Sequence, residues 1–179
     1  MKSILSLFWQ ICRLRQSPEH VPTYTWFVAL VVVANFVGNV AVSVLAGLST
    51  ASDNPTAERL TLLQISTGAL VSLASTAALV WFALQIRELS QRFFATITAL
   101  FGCDLLITAS FGALLPLLGL AEPLLAATPL AFLLYLVWFI SVMGFILHRA
   151  LDVQLAAGVC FAVAFSLIGL AVSEVALGR

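Results

Sequence analysis

Five long apolar runs, each interrupted only by scattered small or neutral polar residues, alternate with short stretches that hold nearly all the charge. Runs of 18 or more apolar residues without charges read as membrane-spanning helices. The pattern predicts spans at about 24–48, 60–86, 93–118, 129–147 and 153–175. A shorter segment, Lys2 to Gln16, shows a different period: Ile4, Leu5, Leu7, Phe8, Ile11, Cys12 and Leu14 fall on one side of a helical wheel. Lys2, Ser3, Ser6, Gln10 and Arg13 fall on the other, with Arg15 alone on the apolar face. Such a helix is too short and polar to span. It is expected either to lie in the membrane interface or to pack over the cytosolic end of the bundle.

The boundaries have local chemistry behind them. Pro18 and Pro22 make residues 17–22 a bent connector, so the chain divides into an amphipathic helix and connector, 1–22, and a transmembrane domain, 23–179. Asn54-Pro55 and Thr128-Pro129 read as helix starts, a capping side chain followed by a first-turn proline. The stretch RELSQR between the second and third spans leaves room only for a tight turn, Pro116 is expected to loosen the third span, and Glu122-Pro123 breaks the loop after it. The fold class is therefore all-α: a polytopic bundle of five transmembrane helices with an N-terminal amphipathic helix.

Within the spans, small and polar residues recur every four positions and so line single faces: Asn35, Asn39, Ser43 and Gly47 on the first, Gly68, Ser72 and Thr76 on the second, Gly158, Ala162 and Ser166 on the fifth. Faces of this kind let helices approach closely, so they are the expected packing faces, inside the chain and between copies.

Composition then sets the class. The 179 residues are 62% hydrophobic and 9% charged, with no net charge, where soluble domains are about 25% charged. This excludes a water-soluble core, and the neutral balance gives no sign of nucleic-acid binding. Orientation follows from charge bias. With the N-terminus in the cytosol, Lys2, Arg13, Arg15, Arg87, Arg92 and Arg149 lie inside and only Arg59 and Arg179 outside. Trp26 and Trp81 then fall at the inner interface. The expected location is a bacterial inner membrane, N-terminus cytoplasmic and C-terminus periplasmic. Cys12, Cys103 and Cys160 are expected on the cytosolic surface and inside two spans, without disulfides.

One residue asks for a chemical explanation. Asp104 lies twelve residues past Arg92, about 18 Å along a helix and near the centre of a roughly 30 Å hydrocarbon layer. A carboxyl at that depth costs at least a few kcal/mol on insertion scales. Asn35 and Tyr135, on two other spans, reach about the same depth, so the three make a candidate intramembrane polar cluster. Either Asp104 is a protonated acid that joins helices by hydrogen bonds, or it is a proton- or ion-binding carboxyl in a transport path. Trp138 and Tyr135 share a face of the fourth span and are read as packing. His20 and His148 sit near the cytosolic edge without ligand spacing. Signatures for phosphate binding, zinc proteolysis and serine hydrolysis are missing, so no enzyme activity, cofactor or metal is expected.

Five close-set spans behind a cytosolic amphipathic N-terminus resemble the Yip1-domain membrane proteins, especially short bacterial members. The stretches RLRQSPEHVP, RFFATITALFGCD and WFISVMGFILHRAL are similar to those of small bacterial inner-membrane proteins. Eukaryotic Yip1 relatives act in vesicle traffic through partners, so the resemblance implies an interaction role. The sequence expectation is accordingly an inner-membrane scaffold, assembly or trafficking-type protein in contact with the lipid bilayer and with a protein partner or further copies of itself. A small transporter or channel component using Asp104 is the alternative.

Overall fold

The structure is a computed structural model that describes residues 4–15, 23–50, 62–118 and 128–176. Among the described residues there are six α-helices: α1 (Ile4–Cys12), α2 (Thr25–Thr50), α3 (Leu62–Ile86), α4 (Phe93–Leu118), α5 (Thr128–Leu151) and α6 (Leu155–Ala176). Among the described residues there is no strand. Helices α2 to α6 are each long and apolar enough to cross a membrane, so the chain is a five-span membrane protein.

The five spans close into a ring. α2 packs on α4, α4 on α5, α5 on α6, α6 on α3, and α3 back on α2. Outward faces carry exposed apolar side chains such as Leu30, Val33, Val37 and Leu134, as lipid contact requires. α4 is the most enclosed span: Thr96 to Cys103 is an unbroken buried run, covered by the ring on one side and by α1 on the other.

Three helix ends show why the connections are so short. Glu88 follows α3 with φ 58° and Asp152 follows α5 with φ 53°, left-handed conformations that reverse the chain at once. Behind them Leu89 N–H bonds to Leu84 O (2.9 Å) and Val153 N–H to His148 O (3.2 Å), the six-to-one closure of a Schellman cap. Leu14, φ 59°, ends α1 in the same way, with Arg15 N–H on Gln10 O at 3.0 Å. The two tight hairpins meet at one end, where Arg87 donates to Asp152 O and Arg92 to Arg149 O, each at 3.4 Å.

Several sequence expectations change. The fourth span does not stop at Leu147. It adds a turn to Leu151, because His148 and Arg149 suit the negative end of the helix dipole. α4 runs through Pro116 to Leu118, since the lost amide bond falls in its final turn.

The placement of α1, which ends at Cys12, is the detail the sequence left open. The helix seats on the flank of α4, its Phe8 ring against Gly102 and stacked on Phe27 of α2 at 6.4 Å. Gly102 makes room for this, since a Cβ there would sit 2.3 Å from the Phe8 ring. Trp138 of α5 donates its indole N–H to Cys12 O at 3.1 Å. Cys12 is therefore buried rather than on a cytosolic surface, and Arg13 and Arg15, beyond the helix, are exposed. Cys103 lies about 15 Å along α4 from Phe93, whereas Phe27 lies in the first turn of α2, so α1 reaches from the start of α2 to the middle of α4. The connector 17–22, Asn54-Pro55 and Glu122-Pro123 lie outside the described residues.

Candidate functional site: an acid in the wall of a central cavity

Asp104 is held by three donors. Asn35 Nδ2 donates to its Oδ2 at 2.7 Å, Asn39 Nδ2 donates to the same oxygen at 3.2 Å, and Thr108 Oγ1 donates to Oδ1 at 3.3 Å. The amide orientations are fixed by their other bonds. Asn35 Nδ2 also donates to the Phe101 carbonyl at 2.9 Å, and Asn39 Nδ2 to the Asn35 carbonyl at 3.1 Å, acceptors that only an N–H can satisfy. Asn35 Oδ1 is in turn occupied by Asn39 Nδ2 at 3.2 Å. The carboxyl therefore faces N–H groups on the α2 side, and no basic side chain among the described residues bonds to it.

The depth argument brings together two of its three residues directly. Asn35, fully buried, bonds to Asp104. Tyr135 does not bond to the acid but lines the central cavity that the acid borders. Its ring belongs to an aromatic ladder on α5, stacked on Phe132 (6.1 Å) and Phe139 (6.2 Å) and against Phe111 of α4 (4.7 Å). Two direct partners were not singled out from sequence. The sequence pattern marks Asn39 only as a packing residue and gives Thr108 no role. The signal was present, because Asn39 follows Asn35 by four residues and Thr108 follows Asp104 by four, which puts each on its neighbour's face.

Asp104 is largely buried and borders a partly open cavity of about 400 Å³ lined by residues of all five spans. Polar groups from all five spans line it, among them Asn39 and Ser43 of α2, Ser72 and Thr76 of α3, Tyr135 of α5, and Ser166 and Ser173 of α6. Between them the wall is apolar, including Leu73, Leu100, Phe101, Phe139 and Phe165. The cavity extends to Gln64 and Ser173, so it runs from mid-span toward the end opposite Arg87, Arg92 and Arg149.

The small-residue faces are used inside the ring. Ser72 and Thr76 of α3 face Gly169 of α6, with Ser173 Oγ on Gly68 O at 3.5 Å. Gly158 lets α6 approach α5 so closely that a Cβ there would lie 2.5 Å from Gly144 O. Ala162 is fully buried, and Ser166 returns its hydroxyl to Ala162 O at 2.8 Å. The side-chain position of Gly47 lies outside the described residues.

Comparisons with protein-family profiles, with curated proteins and with solved structures find no match for the chain.

Proposed function

We propose that this chain is a cation-binding membrane protein of the transport type, in which Asp104 is the binding carboxyl and the central cavity its access path. The observation that carries the reading is the position of Asp104 in the wall of a polar-lined cavity about 400 Å³ in volume. A helix-joining acid in a scaffold needs no such space, whereas a binding site does. The small-residue faces of α3 and α6 pack within the ring, the internal half of what was expected of them.

The chemistry follows from the donor set. Asn35 and Asn39 hold one carboxylate oxygen in place by N–H donation and bring no positive charge. An ionised Asp104 therefore accepts its counter-charge from the cavity side, as a proton or as a cation. The two are mutually exclusive on one carboxyl, so binding of the cation expels the proton. Repeated with access to alternate sides, that competition is cation/proton exchange.

The host membrane is proposed to be a bacterial inner membrane. The N-terminus and the Arg87–Arg92 hairpin face the cytosol, a side supported by the charge bias and by the grouping of Arg87, Arg92 and Arg149 at one end. A reporter fused within 87–92 then reads as cytosolic, and one fused after Arg179 as periplasmic. Activity is tested in proteoliposomes loaded with a pH dye. A pulse of external cation, entering in exchange for protons that leave, raises luminal pH with the wild-type protein and has no effect with Asp104→Asn at equal folded content. Equal responses from the two proteins overturn the assignment of Asp104.

A further inference from the structure

We infer that the occupant of the cavity is an organic ammonium cation with an apolar or aromatic body, rather than a metal ion or a bare proton. This deepens the preceding reading and rests on it. Three observations point the same way.

The first is the lack of a second carboxylate or of a carbonyl cage among the groups bonded to Asp104, which are two amide nitrogens and one hydroxyl. Hard cations such as Mg²⁺ and Ca²⁺ are held by six or more oxygens in a defined shell. Here both amides turn nitrogen to the carboxyl, and of their two oxygens Asn35 Oδ1 is already bonded to Asn39, which leaves Asn39 Oδ1 as the single amide oxygen beside it. A single carboxylate without a cage of carbonyls cannot replace the hydration shell of a small inorganic ion. It can pair with an ammonium group whose charge is spread over its substituents.

The second is the aromatic lining. Phe101 of α4, Tyr135 and Phe139 of α5, and Phe165 of α6 all border the same cavity as Asp104. Ring faces attract cations that are poorly hydrated, and recognition of quaternary ammonium groups by aromatic walls is the general case. Tyr135 and Phe139 are held parallel, 15° between planes, so the α5 wall is a fixed surface rather than a loose side chain.

The third is size. A proton needs no chamber, while about 400 Å³ lies in the range of small-molecule sites and exceeds what a bare ion fills. An ammonium head at Asp104 leaves the remaining volume, bordered by Leu73, Phe139 and Phe165, for an apolar body.

The test is equilibrium dialysis of benzyltrimethylammonium against the purified full chain in mild detergent, with sodium as competitor. Saturable binding is expected, unaffected by a tenfold excess of sodium. Asp104→Asn is expected to weaken it at least tenfold, and Phe139→Leu or Phe165→Leu about fivefold each, in line with loss of one ring–cation contact. Circular dichroism and gel filtration of every variant verify that it is folded. Should Phe139→Leu fold poorly, Phe139→Tyr, which keeps the ring, is expected to bind as wild type. Binding that sodium displaces, or that survives loss of the rings unchanged, overturns the inference. Asp104-dependent exchange with sodium but no benzyltrimethylammonium binding also overturns it and leaves the cation reading standing. The absence of both overturns both.

Discussion

Asn35 of α2 donates its side-chain N–H to Asp104 of α4 at 2.7 Å, joining two spans at mid-depth through a carboxyl that also borders the central cavity. The bond does two things at once. It fixes one face of the acid against the α2–α4 contact, and it leaves the other face to the cavity. Asn35 is therefore a positioning residue whose loss affects both stability and site geometry.

Asn35→Leu removes bonds to Asp104 Oδ2 and to the Phe101 carbonyl and is expected to cost about 1–2 kcal/mol, since single interhelical bonds in membranes average about 0.6 kcal/mol. Reversible unfolding in mixed micelles measures it. A double-mutant cycle with Asp104→Leu isolates the pair, and a coupling indistinguishable from zero would show that the two side chains do not interact.

Glycine substitutions separate close backbone approach from ordinary contact. A Cβ at Gly158 would meet the backbone of α5 at 2.5 Å, whereas one at Gly169 meets only hydroxyls of α3 at 3.6 Å and beyond. Gly158→Ala is expected to destabilise by about 1–3 kcal/mol, the range for overpacking, and Gly169→Ala to be near neutral. Equal effects would mean that α5 and α6 do not pack at this distance.

Glu88 and Asp152 hold left-handed conformations that suit glycine. Replacing Glu88 with glycine is expected to stabilise the α3–α4 hairpin by roughly 1 kcal/mol, the usual cost of that conformation for a residue with a Cβ. The gain at Asp152 is expected to be smaller, because aspartate tolerates the region better. A loss of stability at Glu88 would show that its side chain contributes more than its backbone costs.

The docking of α1 has a direct chemical readout. Cys12 Sγ lies 4.0 Å from the Cys103 carbonyl, and Cys103 Sγ lies 3.9 Å from the Phe8 carbonyl, so each thiol sits against the backbone of the other helix in the α1–α4 contact. Copper–phenanthroline oxidation in membranes is expected to join them, with loss of two hydrogens and protection of both from alkylation, while Cys160, exposed on α6, stays reactive. Gly102→Val, which fills the seat of Phe8, is expected to slow the crosslink severalfold. Crosslinking at an unchanged rate would place α1 elsewhere.

Much of this architecture was legible in the sequence because a bilayer leaves few options. Uncharged runs of span length must become helices, and the depth count placed Asn35 and Asp104 at one level because helical rise is constant. Asn39 and Thr108 were legible in principle from four-residue spacing, but a small polar stripe also fits plain packing. The site of α1 was not legible. It depends on Gly102, which in an apolar run gives no hint of whether a span, lipid or an aromatic ring from another helix will fill the gap. Nor was the cavity, which exists only because the five spans close into a ring, and ring order is set by pairwise packing of faces that look alike in sequence. The last turn of α5 was missed because His148 and Arg149 read as a loop, although cations are favourable at a helix C-terminus.

Water access to the cavity is the claim on which the rest stands, and cysteine labelling measures it most directly. Ser72→Cys and Ser166→Cys place thiols on the cavity wall, and Leu70→Cys places one on an outward face that is 59% exposed in the isolated chain. A cationic, membrane-impermeant methanethiosulfonate is added to intact membranes from the side opposite Arg87 and Arg92, and the modified residue is located by mass spectrometry. Ser72→Cys and Ser166→Cys are predicted to react and to be slowed by benzyltrimethylammonium, with Leu70→Cys inert in the lipid. Cavity thiols as unreactive as the one at position 70 would contradict the account, because a dry Asp104 could join helices but could not exchange a cation.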